Sequence, residues 1–321
     1  MSSTSIHDLP LQDLAPCLAK HLNIRDILAI RQCSRDWKEV GDLMLKNLQT
    51  FVYFMDKHRD CPDGIFRIIA KYCHRLKKIK VVFDEDDLYS FFVPLEIDNL
   101  LAEIFTKNPL LEIVDVNFLG RAVDLFEETP NWLFALAKSC KKLVGLALKF
   151  EEHTNDFLQF LGEHNNQLRW LDLSDIQPAQ HYFCFYNPHV LIEFLGKQPR
   201  LEYIGLPKLS PTDFDETMSA IAKNCKDLRF IHLNICEDFF IQAEKLVEIN
   251  KKYKVTATWR SSKWGLPEEF KALLDQNNIE CIPDSLWKET FRMSLRKKSL
   301  PDYEEIDSSE RNPFYEKFFY F

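Results

Sequence analysis

The fold class predicted by the sequence is α/β: a curved solenoid of strand–helix units, preceded by a three-helix segment and followed by an irregular tail. Three observations predict it. A short apolar pattern recurs six times in one register, helical periodicity fills the intervals between copies, and residues 6–45 follow neither rule.

The recurring pattern is an apolar residue, two others, then alternating apolar positions. It reads Leu76-Lys-Lys-Ile79-Lys-Val81, Leu111-Glu-Ile-Val114-Asp-Val116 and Leu143-Val-Gly-Leu146-Ala-Leu148. It returns as Leu168-Arg-Trp-Leu171-Asp-Leu173, Leu201-Glu-Tyr-Ile204-Gly-Leu206 and Leu228-Arg-Phe-Ile231-His-Leu233. The first leucines lie 35, 32, 25, 33 and 27 residues apart, enough for one strand and one helix per unit. Alternation from the second apolar position marks a short strand with one buried face.

Between strands the period becomes helical, as in Asn131–Lys138, Phe157–Leu161, Val190–Leu195 and Thr217–Lys223. Each helix stops at a recurring boundary, either Lys71-Tyr-Cys73, Lys138-Ser-Cys140 and Lys223-Asn-Cys225, or Asn108-Pro109 and Gln198-Pro199. Proline cannot continue a helix, and a small buried thiol fills the corner where the chain turns into the next strand. These features resemble the leucine-rich repeat in its longer, cysteine-containing form. Units beyond the usual ~20–29 residues imply insertions, notably at 84–95, 119–130 and 175–187. Lys252-Tyr-Lys-Val255-Thr-Ala257 reads as a terminal copy, and Pro267–Leu274 with Asn278–Ile282 as a capping helix and strand.

Composition bounds the function. Apolar residues make up 46% of the chain and charged residues 28%, which excludes a largely disordered protein. Only 8 glycines argue against Gly-rich phosphate-binding folds. The net charge of −8 gives no global attraction for nucleic acid or an anionic membrane. The basic clusters Lys77-Lys78 with Lys80 and Arg296-Lys297-Lys298 are too short to read as a nucleic-acid surface. No stretch reaches the ~18 apolar residues of a membrane span, and Met1–Ser5 lacks the features of a secretory signal. Nine scattered cysteines read as reduced thiols, so the expected compartment is cytoplasmic or nuclear.

Residues Ile6 to about Leu45 read as three short helices, Leu11–His21, Ile24–Arg31 and Ser34–Leu45. Leu14, Leu18 and Leu22 line one face of the first. Asp26 favours the positive start of the second, and Ser34 can cap the third. Helices this short bury little surface alone, so a partner or the neighbouring repeats must support them.

Leu9-Pro10, Leu22, Asp26-Ile27, Cys33, Arg35 and Trp37 resemble an F-box. From Leu22 onward the spacing follows that family; from Leu9 to Leu22 the chain is one residue longer, and Pro16 falls inside the first helix. The division implied is an F-box at 6–45, repeats at 46–282 and a tail at 283–321. The resemblance implies the substrate-recognition subunit of a Skp–cullin–F-box ubiquitin ligase. Its F-box would bind the Skp adaptor and, through it, cullin and RING subunits, while its repeats would capture a protein substrate. Carried over by position, the adaptor-binding or F-box-core residues are Leu9, Pro10, Leu18, Leu22, Ile27, Leu28 and Trp37, Trp37 serving either the interface or internal packing. The alternative is a leucine-rich-repeat scaffold that takes no part in ubiquitin transfer.

For the substrate, residues alternating with the buried ones on each strand point to the concave wall. These are Lys80, Asp115, Ala147, Asp172, Gly205 and His232, followed by Val82, Asn117, Lys149, Ser174, Pro207 and Asn234. The position before each strand's first buried residue holds Trp170, Tyr203 and Phe230 in neighbouring units. Such aromatics either anchor a partner or stack on one another and close the core edge. The substrate-binding candidates are therefore Trp170, Asp172, Tyr203, Phe230, His232 and Asn234.

Catalytic signatures are missing: there is no G-x-S-x-G elbow and no P-loop. His181, Cys184 and His189 lack a fourth ligand at zinc spacing. No catalysis, cofactor or metal is expected, nor any nucleic-acid or membrane partner. The tail ends in Phe314–Phe321, six aromatics in eight residues, which favours docking on the repeats or on a partner.

Overall fold

The structure is a computed structural model, and it describes residues 11–19, 22–54, 62–83, 95–118, 130–149, 154–174, 187–207, 209, 211–236, 243–260 and 268–283. The proposed aromatic tail lies outside them. The chain divides into two compact units, Met1–Asn165 and Asn166–Tyr320.

The first unit opens with α1 (Leu11–Leu18), α2 (Ile24–Cys33) and α3 (Arg35–Asn47). Asn23 starts α2 through a reciprocal capping box. Its Oδ1 accepts from the Asp26 amide at 3.0 Å, and its own amide donates to Asp26 Oδ2 at 3.2 Å. Ser34 caps α3 as the sequence predicts, its Oγ accepting from the Trp37 amide at 3.2 Å. Pro16 stands inside α1 and removes one donor from its ladder. Both α1 and α2 pack on α3, and α3 packs on α4 (Pro62–Tyr72), so the segment is supported by the repeats beside it.

Strands and helices then alternate. In the first unit β1 (Thr50–Phe54), α4, β2 (Lys78–Phe83), α5 (Leu95–Lys107), β3 (Ile113–Phe118), α6 (Asn131–Ser139), β4 (Gly145–Lys149) and α7 (Thr154–His164) follow one another. Strands β1 to β4 pair in that order, all parallel. In the second unit β5 (Trp170–Asp172), α8 (Pro188–Gly196), β6 (Tyr203–Leu206), α9 (Pro211–Asn224), β7 (Phe230–Cys236), α10 (Ala243–Asn250), β8 (Lys254–Arg260), α11 (Glu268–Gln276) and β9 (Glu280–Pro283) do the same. Sequential parallel neighbours joined by crossovers of the usual right-handed sense place the helices of a unit on one face of its sheet.

The alternating apolar positions of the six copies, Ile79 and Val81 through Ile231 and Leu233, are all buried. The first leucines are buried as well, and each begins the turn that leads into a strand. The terminal copy forms β8, and the capping pair forms α11 and β9. Asn278, at φ 53°, turns the chain out of α11 in the left-handed region that asparagine tolerates.

One strand was not among the predicted copies. Leu48-Gln-Thr-Phe51-Val-Tyr53 follows the same spacing with aromatic rings at the alternating sites. Leu48, Phe51 and Tyr53 are buried, with both rings edge-on to Phe66 of α4.

The helix boundaries behave as the corner argument requires. The buried Cys140 thiol points to the carbonyls of Phe105 and Asn108, each at 3.7 Å, and the buried Cys225 thiol to that of Leu195 at 3.9 Å. Asn108 does more than precede a proline. Its Oδ1 accepts from the Leu76 amide at 2.8 Å, and its Nδ2 donates to the carbonyls of Cys73 at 2.9 Å and Ile104 at 2.8 Å. Asn250 repeats the device, with Oδ1 accepting from the Val255 amide at 3.0 Å and Nδ2 donating to the Asn277 carbonyl at 2.8 Å. These amides satisfy backbone groups at the corners where helical and strand ladders both end.

Candidate protein-binding site

Two regions carry the residues singled out by sequence: the helix-free face of each sheet and the surface of the N-terminal helices.

Strand alternation puts Lys80, Asp115 and Ala147 on one face of the first sheet, with Asp172, Gly205 and His232 on the corresponding face of the second. The expectation that this face is open to solvent is corrected by the structure, because all six are buried. Val82, Ser174 and Pro207 are buried too. Alternation says which side chains share a face and is silent on what lies over it; parallel sheets are characteristically enclosed on both sides.

The predicted aromatic row is corrected in the same sense. Trp170 is 0% exposed and Tyr203 3%; their rings stack at 5.2 Å with planes 15° apart. Phe230 is half-buried, paired in register with Tyr203. Of the two readings the sequence left open, ring-on-ring packing is the arrangement present at Trp170 and Tyr203.

Several polar groups on these faces have partners, although the buried Asp115 Oδ1 accepts no hydrogen bond from the described residues. Lys80 Nζ lies 2.8 Å from Asp115 Oδ2 in a buried ion pair. Asp172 Oδ1 accepts from the amide of Ser174 at 2.9 Å and from its hydroxyl at 2.6 Å. The Asp172 carboxylate leans across Gly205, where a Cβ would stand only 2.1 Å from Oδ1. Glycine at 205 is therefore what lets the carboxylate of the neighbouring strand lie there. His232 Nδ1 is 3.0 Å from Thr256 Oγ1, and Asn234 pairs in register with Thr258. Asp172, Ser174 and His232 do not form a nucleophile–base–acid relay, because the Ser174 hydroxyl donates to Asp172.

The N-terminal helices present the opposite character. Ile27 is fully buried, whereas Leu14, Leu18, Leu22, Leu28, Ile30 and Trp37 are each only partly covered. Five large apolar side chains on three short helices, and Leu22 in the connection between α1 and α2, thus remain partly open to solvent. Leu9 and Pro10 lie outside the described residues.

The thiols divide by place. Burial pushes Cys73 and Cys140 up to about 12, and Cys225 and Cys281 up to about 11, whereas Cys17 and Cys33 are exposed. Since the thiolate is the reacting form, iodoacetamide at mildly alkaline pH is expected to label Cys17 and Cys33 and to spare Cys73, Cys140 and Cys225 until the protein is unfolded. Peptide mass mapping reads the result, and rapid native labelling of Cys140 would contradict its corner position. Among the described residues there is no cluster of three or more metal-ligating side chains, and no helix is long and apolar enough to cross a membrane. His189 is exposed, while His181 and Cys184 lie outside the described residues.

The class these observations define is an α/β protein of parallel strand–helix repeats with three helices at its N-terminal end. No model of a known protein family matches the chain, and no curated protein matches it. Similar solved structures include the leucine-rich-repeat-containing protein LegL7 from Legionella pneumophila, at 12% identity and a TM-score of 0.41, covering 77% of this chain and 78% of that one. A protein from Bacteroides fragilis is similar at 12% identity and a TM-score of 0.45, covering 83% of this chain and 70% of that one. The repeat architecture rests on the strand register and helix packing described above.

Proposed function

We propose that the chain is the substrate-recognition subunit of a Skp–cullin–F-box ubiquitin ligase, its N-terminal helices binding the Skp adaptor and its repeats binding a protein substrate. The observation that carries this reading is the partial exposure of Leu14, Leu18, Leu28, Ile30 and Trp37 on α1–α3 and of Leu22 between α1 and α2. Apolar surface gathered on so small an element is stabilised by burial against a partner. The F-box resemblance of Leu9-Pro10 through Trp37 names the partner. On this reading the chain itself performs no bond chemistry and uses no cofactor; it acts by holding a substrate lysine near the charged conjugating enzyme, a gain in proximity and orientation.

Co-expression with the Skp adaptor tests the proposal. Wild-type protein is expected to co-purify with it. Leu28→Asp and the double variant Leu9→Ala/Pro10→Ala are expected to weaken the complex by about tenfold or more, with unchanged thermal unfolding as the check on folding. A folded wild-type protein that leaves the adaptor behind would reduce the helices to a cap on the repeats, and the chain to an interaction scaffold outside ubiquitin transfer.

A further inference from the structure

The repeat gathers charges that are scattered in sequence. In the second unit, the last turns of α9 and α10 and the connections from them into β7 and β8 contain Lys223, Lys226, Arg229, Lys251, Lys252 and Lys254, all exposed, against the two acids Asp227 and Glu248. The two turns adjoin: the Lys254 amide donates to the Arg229 carbonyl at 2.8 Å, and β7 and β8 pair from Phe230 and Lys254 onward. Neighbouring strands lie about 4.8 Å apart, so these cations occupy one continuous edge.

Part of this arrangement serves the fold. Lysines at helix C-termini complement the negative end of the macrodipole, and Lys226 Nζ donates to the Ala222 carbonyl at 2.9 Å. That accounts poorly for the rest. Other cations of the unit sit beside carboxylates, as in Lys245 with Asp215, Arg169 with Glu202 and Lys197 with Glu193, though among the described residues exposed Arg200 and Lys271 do not. Lys223, Arg229, Lys251 and Lys254 have no carboxylate within ion-pair distance among the described residues, in a chain whose net charge is −8.

We propose that this edge is a docking surface for an acidic, extended polypeptide segment. The proposal rests on the reading of the chain as a protein-capturing receptor and assigns the chemistry of what it captures. An extended peptide laid across the turns presents carboxylates on one face at intervals of about 7 Å, within reach of flexible lysines on adjacent strands. One observation favours a peptide over nucleic acid. These turns present no fully exposed aromatic ring on which a base could stack, Tyr253 being buried and Phe230 half-buried.

The test is fluorescence anisotropy of fluorescein-labelled poly-glutamate titrated with the full chain. Wild-type protein is expected to bind, less tightly as salt rises. The variant Lys223→Glu/Arg229→Glu/Lys251→Glu is expected to bind about tenfold more weakly. Lys71→Glu/Lys138→Glu/Lys142→Glu, an equal change of net charge at exposed positions of the first unit, is expected to retain most of the binding. Absence of wild-type binding, or equal loss in both variants, overturns the proposal. So does tighter binding of a single-stranded oligonucleotide of the same charge, which would make the edge a nucleic-acid surface. Adaptor co-purification from the same preparations separates the two readings: peptide bound without adaptor removes the ligase assignment alone, and adaptor bound without peptide removes this one.

Discussion

Replacing Lys80 by methionine is expected to lower the free energy of unfolding by about 3–5 kcal/mol, the range for removing one partner of a buried ion pair. Lys80 Nζ lies 2.8 Å from Asp115 Oδ2, and the two side chains are 4% and 1% exposed on adjacent, parallel strands. Methionine keeps most of the aliphatic stem and takes away only the charge, so cavity formation contributes little. The carboxylate of Asp115 would then be enclosed without its counter-charge. The double variant Lys80→Met/Asp115→Leu removes both charges of this pair, and most of the loss is expected to be recovered. Urea denaturation of the wild type and the three variants gives the cycle. A cost for Lys80→Met below about 1 kcal/mol would mean that the pair is solvated, as an exposed pair would be, and that this face of the sheet is open.

The pair also marks where sequence reasoning stops. Strand positions were legible because a short pattern recurs in one register, and burial of Ile79, Val114, Leu146, Leu171, Ile204 and Ile231 follows from alternation alone. The strand at Thr50–Phe54 is hidden by residue type, because Phe51 and Tyr53 stand where the other copies carry aliphatic residues. Spacing was the signal there, and residue type concealed it. The enclosure of Lys80, Asp115, Asp172 and His232 could not be read at all. Pleating fixes which side chains share a face and carries no information on what encloses that face. The candidate site was half legible for the same reason. The cap of α3 is signalled by Ser34 and the start of α2 by the acidic Asp26, whereas the Asn23 cap of α2 is not, and the partial exposure of Leu18, Leu28 and Trp37 depends on how the three helices pack. The basic edge of the second unit went unseen because its cations come from two segments that only the repeat brings side by side.

Asn108→Leu is expected to cost about 3 kcal/mol or more, despite preserving volume and adding apolar surface. In the wild type this amide is 1% exposed and makes three hydrogen bonds to the backbone, to the Leu76 amide and to the carbonyls of Cys73 and Ile104. Leucine can replace none of them, and a buried donor or acceptor left unpaired costs about 1–3 kcal/mol. Asn108→Asp keeps the acceptor for Leu76 and loses both donors, so it should be destabilising by a different route, through carbonyls facing a carboxylate. The Leu76 amide distinguishes them: its hydrogen exchange should accelerate in Asn108→Leu well beyond the change in global stability, and less so in Asn108→Asp. Leu76 opens the turn into β2 and Asn108 follows α5 of the next unit, so the bond joins consecutive repeats at their shared corner. Should Asn108→Leu unfold at the same urea concentration as the wild type, the units would be held in register by their apolar faces alone, and the corner amide would be dispensable.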